Sequence, residues 1–181
     1  AVAAECMLVN ILKRAKELSQ NGTPLFATPA LQYFLTNTVT IDVFETSPTA
    51  LSNFVLLDDS DVISALKVWV SHPDIVLSTL SQHFINRKLF KVKTSNKKFL
   101  SAEKVALLKI YQKKYAINNV DAKYFLHEIG LTNDTYNSSY GSVKILYNDG
   151  SVKDISNASD ILNTSILSKN ITKHFLCFLQ H

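Results

Sequence analysis

A dense run of basic side chains is the part of the sequence best suited to bind a charged ligand. Ten of the 19 lysine and arginine residues lie in the 28 positions from Arg87 to Lys114, where Glu103 is the only acid. We call these positions the basic run. So much positive charge suits a polyanion, either nucleotide phosphates or a nucleic-acid backbone. It also suits a solvated face whose lysines protect a sheet edge, and charge alone does not separate the two interpretations.

The first part of the basic run has the pattern of a strand. Between residues 86 and 94, leucine, phenylalanine and valine are interspersed with basic residues, which favours a strand over a helix. In a strand, Arg87, Lys91 and Lys93 alternate onto one side, so their charges converge on one surface. These three residues are our candidate phosphate ligands. Aromatic residues are not interleaved with the lysines as stacked bases require, so nucleic acid is the less favoured partner.

Nothing else in the sequence has the spacing of a catalytic or metal site. The five histidines form no His-x-x-x-His or His-Glu-x-x-His pair, although metal sites need donors at such spacings. His72 and His83 could share a face, but capping or core use is the favoured interpretation. The acidic cluster Asp58, Asp59 and Asp61 is explained by helix capping and the helix dipole. We therefore assign no catalytic residue, metal ligand or cofactor to these 181 positions.

The composition is that of a folded protein without membrane spans. Apolar residues make up 46% of the chain and charged residues 19%, which is enough for a core. No apolar run approaches the ~18 residues of a membrane helix, and the first ten residues do not have the pattern of a signal peptide. Cys6 and Cys177 lie in apolar surroundings and indicate reduced core thiols. We expect a cytoplasmic protein with no membrane partner.

Apolar periodicity predicts helices first and strands afterwards. The predicted helices cover residues 1–22, 29–35, 57–70, 73–84 and 101–111, and the predicted strands cover residues 86–94, 124–129, 143–147, 151–155 and 174–179. Residues 36–56 are expected to form a loop, and residues 158–167 a short helix. Asn148, Asp149 and Gly150 favour a hairpin turn, since all three tolerate positive φ.

This order of elements predicts an α+β fold in two parts. Residues 1–86 form a helical segment, and residues 87–181 form a domain with a small antiparallel sheet and one or two helices. The first helix has no capping signal at its start, so we expect the natural chain to extend upstream. The apolar face around Met7, Leu8, Ile11 and Leu12 should therefore rest on a second copy or stay partly exposed.

Four stretches of the chain carry a resemblance to a known family. They are AAECMLVN at residues 3–10, LDDSD and ALKVW within residues 57–69, NRKLFK at residues 86–91, and the end of the chain from residue 149 to residue 177. Together they resemble the region after the catalytic core in HD-superfamily phosphohydrolases, in particular bacterial proteins of the deoxynucleoside triphosphate triphosphohydrolase type. The most specific points are the Asp-Asp-Ser-Asp helix start and the Arg-x-Leu-Phe-Lys strand.

The resemblance implies that the chain is the non-catalytic C-terminal part of such an enzyme. These enzymes hold a divalent metal with a His…His-Asp…Asp set and release triphosphate from dNTPs. That set is absent here, so the resemblance places the metal and the catalysis in an upstream HD core, to which residues 1–86 would belong.

The resemblance also implies a nucleotide site in a homo-oligomer. In the related vertebrate enzyme, the Arg and Lys of a similar strand contact regulatory nucleotide phosphates between subunits, which points to Arg87 and Lys91. Two alternatives from other classes stay open. One is a non-enzymatic nucleic-acid-binding module that uses the same basic strand, and the other is a protein-interaction domain without an anion site.

Overall fold

The chain folds into eight helices, a 3₁₀ turn and five strands within the residues that the structure describes. The structure is a computed structural model, and it describes residues 1–132, 144–154 and 172–180. The helices are α1 (Val2–Gln20), α2 (Pro29–Thr36), α3 (Ile41–Thr46), α4 (Pro48–Leu56), α5 (Asp59–Trp69), α6 (Ile75–Ile85), α7 (Ser101–Tyr115) and α8 (Asn119–Ala122), which the 3₁₀ turn Lys123–Phe125 follows. The strands are β1 (Lys91–Ser95), β2 (Leu126–Thr132), β3 (Lys144–Leu146), β4 (Val152–Asp154) and β5 (Thr172–Phe178). The helix predicted at residues 158–167 lies outside the described residues.

The predicted α+β class is confirmed. Three strands form a sheet in the order β1-β5-β2, and β3 pairs with β4. The β3–β4 pair is antiparallel, with Ile145 opposite Lys153, as predicted from the turn sequence. Gly150 lies in this turn at a φ of 83°, a conformation that glycine adopts without a steric cost.

The segment expected to be a loop between α2 and α5 contains two helices, α3 and α4, so that prediction is wrong. Ser47 caps α4 by accepting a hydrogen bond from Ala50 N at 3.4 Å, and a proline follows at the first helical position. With six and nine residues, these helices are too short to display a 3.6-residue period. Their rings pack together instead, since Phe44 lies 6.2 Å from Phe34 and 5.5 Å from Phe54 between ring centroids.

Helix starts differ from the sequence predictions in two places. α6 begins two residues after Pro73, because Asp74 is the N-cap and accepts a hydrogen bond from Leu77 N at 2.8 Å. At α7, a serine before an apolar helix face predicts that Ser101 is the N-cap, but Ser101 is the first helical residue, and the N-cap residue Leu100 makes no side-chain capping bond.

The chain divides into two compact units. The first consists of Ala1–Lys93, Phe99–Glu128 and Leu176–His181. In it α1 contacts α2, α6 and the 3₁₀ turn, and α5 contacts α6. Its largest fully buried side chains include Met7, Trp69, Tyr111 and Phe125. The second unit consists of Thr94–Lys98 and Ile129–Phe175 and contains the β3–β4 hairpin.

Two polar hydrogen bonds fix aromatic residues in the core of the first unit. Trp69 Nε1 donates to Phe26 O at 2.9 Å, and Tyr111 OH donates to Leu179 O at 2.6 Å. Burial raises the pKa of Tyr111 above its usual range, so the hydroxyl stays a donor. Each bond satisfies a polar atom that would otherwise be buried without a partner.

The chain itself covers much of the apolar face of α1. Met7 and Ile11 have no exposed surface, whereas Leu8 and Leu12 are half-buried. The chain's own residues therefore cover Met7 and Ile11, while Leu8 and Leu12 stay partly exposed as expected. Packing of this face on a second copy stays a prediction.

The two cysteines are buried core residues with free thiols. Burial, together with the neighbouring Cys6 thiol, raises the pKa of Cys177 to about 12, which keeps this thiol protonated and unreactive. Within the described ranges, none of the helices has the length and apolar character that crossing a membrane requires.

Candidate phosphate-binding site

Arg87 lies at the end of α6 and not in β1, so the predicted three-residue row on one strand is wrong. Arg87 N donates to Phe84 O at 3.0 Å, and Lys88 N donates to His83 O at 2.8 Å. These two bonds form a Schellman motif, which needs a left-handed residue after the helix. Arg87 fills that position with a φ of 57°, where glycine is the usual residue.

Lys91 and Lys93 lie on β1 and differ in their charge partners. Both are exposed, and their spacing of two places them on the same face of the strand. Lys93 Nζ lies 2.6 Å from Glu103 Oε1 and 5.7 Å from the centre of the Phe178 ring. Neither Arg87 nor Lys91 has an ion-pair partner among the residues that the structure describes. Of the three candidate phosphate ligands, Arg87 and Lys91 are therefore the two whose charges have no ion-pair partner in the described residues.

Chain geometry keeps Arg87 and Lys91 close enough to share one ligand. They are four positions apart with three residues between them, so their Cα atoms lie within about 14 Å of each other even if the chain is extended. Both side chains are exposed, and between them Phe90 is only 4% exposed. This buried ring anchors the connection between α6 and β1 to the core.

The rest of the basic run contains one further ion pair in the described ranges. Lys104 Nζ lies 2.6 Å from Glu128 Oε2, and the two side chains are 29% and 23% exposed. The other basic residues of the run lie in solvent on the turn after α6, the loop after β1 and the exposed face of α7: Lys88, Lys97, Lys98, Lys109, Lys113 and Lys114. They contribute a positive field rather than a shaped pocket.

The histidines and the acidic cluster have structural roles in the described residues. His72 Nδ1 accepts a hydrogen bond from Asp74 N at 3.0 Å, and His83 Nδ1 lies 3.2 Å from Lys88 O. Asp58 and Asp61 form a reciprocal capping box at the start of α5, as the capping interpretation predicts. No group of three or more histidine, cysteine or acidic residues in the described ranges could hold a metal ion. These residues do not fit the divalent metal that the family resemblance implies.

A buried charge cluster around Arg14 was not predicted from the sequence. The Arg14 guanidinium contacts Asp74 at 2.6 Å, Glu17 at 2.8 Å and Asp121 at 3.0 Å, and its side chain is 11% exposed. The hydrogen bond to Asp74 raises the pKa of Arg14 above its usual value. Arg14 shares a helix face with the buried residues Ile11 and Ala15. An arginine at such a position in the sequence was the available sign that its charge would be buried and need acidic partners.

Tyr124 completes the cluster. Its hydroxyl donates to Glu17 Oε2 at 2.8 Å, and its ring lies 5.4 Å from Arg14 Cζ. Burial and the carboxylate of Glu17 raise the pKa of Tyr124 to about 12. The cluster joins α1, α6, α8 and the 3₁₀ turn through one cation, so its chemistry is that of a structural link.

Comparison with known proteins points to phosphohydrolases. The chain is similar to a crystal structure of a phosphohydrolase from Bacteroides thetaiotaomicron, with 42% sequence identity and a TM-score of 0.85 over 99% of the chain. It is also 28% identical to the uncharacterized protein YwfO of Bacillus subtilis over 97% of its length. No family model matches the sequence. The chain spans 44% and 39% of these two proteins, and the similarity supports a phosphohydrolase family.

Proposed function

We propose that this chain is the non-catalytic C-terminal part of an HD-type, metal-dependent (deoxy)nucleoside triphosphate phosphohydrolase. In this role it completes the fold, supports a homo-oligomer and binds nucleotide phosphates through Arg87 and Lys91. The observation that carries the proposal is the similarity to a phosphohydrolase along nearly the whole chain. The catalytic metal would then be held by residues outside this chain, as the family resemblance implies.

The position of Arg87 supports phosphate binding. An arginine in a left-handed turn costs about 1–2 kcal/mol relative to a glycine, and residues held in such conformations concentrate at functional sites. The guanidinium can bind two phosphate oxygens at once, while Lys91 adds a point charge. Lys93 contributes less, since Glu103 already binds its ammonium group.

The first test concerns catalysis. The isolated chain should release neither phosphate nor triphosphate from dNTPs with Mn²⁺, Mg²⁺ or Co²⁺, because its described residues contain no group of ligands for a metal that activates water. The intact protein should do so under the same conditions. Metal-dependent release by the highly purified chain would contradict the non-catalytic role.

The second test concerns the phosphate ligands. A dNTP that binds only the native intact protein should raise its melting temperature, with about 2.7 kcal/mol of stabilisation at a ligand concentration of 100 Kd. The double variant Arg87→Gly, Lys91→Gln should lose most of this shift. Glycine suits the left-handed position, so the loss would not reflect a damaged turn.

A matched control removes the same charge elsewhere in the basic run. Lys109→Gln with Lys113→Gln deletes two exposed positive charges on α7 and should leave the dNTP-induced shift almost unchanged. If both double variants reduce the shift equally, only the general field matters and the assignment of Arg87 and Lys91 is wrong. Tight, salt-sensitive binding of single-stranded DNA would instead support the nucleic-acid alternative.

A further inference from the structure

A cleft of about 380 Å³ in the first unit lies beside a histidine that the basic-run site does not use. It is lined by Asn10, Lys13, Val120, Lys123, Tyr124, Leu126, His127 and Glu128. Its volume falls in the range of pockets that take small ligands. The lining residues come from α1, α8, the 3₁₀ turn and β2, so the cleft is built where four elements of one unit meet.

Asn10 fixes the orientation and tautomer of His127. Asn10 is 4% exposed, and its Nδ2 donates to Tyr124 O at 2.8 Å and to Leu126 O at 3.2 Å. Its Oδ1 can therefore only accept, and it lies 2.8 Å from His127 Nδ1. Nδ1 of His127 carries the proton, and Nε2 of the neutral ring is a hydrogen-bond acceptor.

The acceptor atom of His127 is free for a ligand. In the described residues, Nε2 has no hydrogen-bond partner. Among these residues, the fully buried side-chain atoms without a partner are those of Thr28 and Ser81, so Nε2 is not one of them. Nε2 is thus not completely buried, and His127 is one of the residues that line the cleft. Burial, helped by the charge of Lys13, lowers the pKa of His127, which keeps the ring neutral at physiological pH.

The charges around the cleft favour an anion. Lys13 and Lys123 are exposed, and neither has an ion-pair partner within the described part of the chain. Among the described residues of the lining, Glu128 is the one acidic side chain. Its carboxylate accepts hydrogen bonds from Lys104 Nζ at 2.6 Å and from a backbone amide at 3.2 Å. The lining thus contains two ammonium groups without an ion pair and a carboxylate that already binds Lys104.

We propose that this cleft binds a phosphate group through Lys13 and Lys123, with His127 Nε2 accepting a hydrogen bond from a protonated phosphate oxygen. Inorganic phosphate keeps one proton at neutral pH, so it offers both the donor that Nε2 needs and the acceptors that the lysines need. A carboxylate or a sulfate is fully deprotonated there and has no donor for Nε2. The site is separate from Arg87 and Lys91 and does not depend on the proposed nucleotide function.

The test measures inorganic phosphate binding to the intact protein by calorimetry, with sulfate as the isostere. In mildly alkaline buffer, phosphate should bind at least about tenfold more tightly than sulfate, a difference of about 1.4 kcal/mol. In buffer acidic enough to protonate His127, Nε2 becomes a donor and the preference should disappear. Ribose 5-phosphate is a phosphate monoester, so it tests whether the natural ligand is a monoester or free inorganic phosphate. If the natural ligand is a monoester, ribose 5-phosphate should bind, and its binding should be accompanied by uptake of a proton.

Variants connect this binding to the cleft. His127→Asn keeps a donor for Asn10 but removes Nε2, so it should abolish the preference for phosphate over sulfate. Lys13→Gln and Lys123→Gln should each weaken both anions about tenfold, whereas Lys67→Gln on the exposed face of α5 should have no effect. Equal binding of phosphate and sulfate by the wild type in alkaline buffer would overturn the proposal. An unchanged preference in His127→Asn would do the same.

Discussion

Replacement of Arg14 by methionine tests the strongest stability argument that the structure offers. The guanidinium lies between three carboxylates, with Nη2 2.6 Å from Asp74 Oδ2 and Nη1 2.8 Å from Glu17 and 3.0 Å from Asp121. Nε adds a second bond to Asp74 at 3.1 Å. Methionine fills a similar length of side chain without the charge, so the variant leaves three neighbouring carboxylates with no cation.

The size of the effect follows from burial. Removal of one partner from a buried ion pair costs about 3–5 kcal/mol. The side chains of Arg14 and Asp74 are 11% and 14% exposed, but Glu17 is 39% exposed and can relax into water. We therefore expect the low end, a loss of about 3 kcal/mol in the free energy of unfolding. For a chain of this size that corresponds to a fall of about 6–12 °C in Tm.

Chemical and thermal denaturation of the wild type and Arg14→Met measure this loss. The control is Lys93→Met, which breaks an ion pair whose side chains are 54% and 35% exposed and should cost less than about 1 kcal/mol. A loss below about 1 kcal/mol for Arg14→Met would refute the reasoning, because it would equal the cost of an exposed pair.

The pH dependence gives an independent check through Asp74. Burial raises the pKa of Asp74, but the hydrogen bonds from Arg14 and from Leu77 N outweigh it and leave the pKa below its usual value. A lowered folded-state pKa stabilises the protein above the unfolded-state pKa, and this contribution is lost as the pH falls through the folded-state pKa. Without Arg14, burial should raise the pKa of Asp74. The deficit of Arg14→Met should therefore shrink as the pH falls from the raised pKa of Asp74 in the variant, through about 4, to the lowered pKa of the wild type.

Three further substitutions test the fold at single interactions by denaturation. Asp58→Ala removes the capping box of α5 and should cost about 1 kcal/mol, whereas an unchanged stability would show that the box is dispensable. Tyr111→Phe leaves the buried carbonyl of Leu179 without its donor and should cost about 1–2 kcal/mol; no loss would mean that another group satisfies it. Arg87→Gly should raise stability by up to about 1 kcal/mol, and a loss would contradict the strained turn.

Local signals in the sequence were enough to predict most of the elements. The starts of α2 and α5 follow from Thr28-Pro29 and from the aspartates after Leu57, since caps and first-turn residues act within a few positions. The hairpin around Gly150 follows from turn chemistry in the same way. α3 and α4 were missed because their ends rely on Ser47 and on packing of aromatic rings, not on an apolar period.

Contacts between distant residues could not be predicted from the sequence. Arg14 meets Asp74 across 60 positions, and Asn10 meets His127 across 117. Such pairs depend on how α1 packs against later elements, and no local pattern encodes that arrangement. Glu103 is a different case, because its pairing with Lys93 across ten positions depends on the direction of the loop after β1.

The turn at Arg87 changes the geometry of the candidate site rather than removing it. On a single strand, three side chains would form a flat row that fits an extended backbone as well as a single nucleotide. In the structure, the guanidinium projects from the left-handed end of α6 and Lys91 opens β1, while Glu103 binds the ammonium group of Lys93. The two free cations therefore lie on two elements, and the buried Phe90 holds the connection between these elements in place. This arrangement fits a short phosphate chain better than a long polymer. Along β1 itself, the turn at Arg87 and the ion pair of Lys93 interrupt the row of equivalent free charges that a polymer would contact on a single strand.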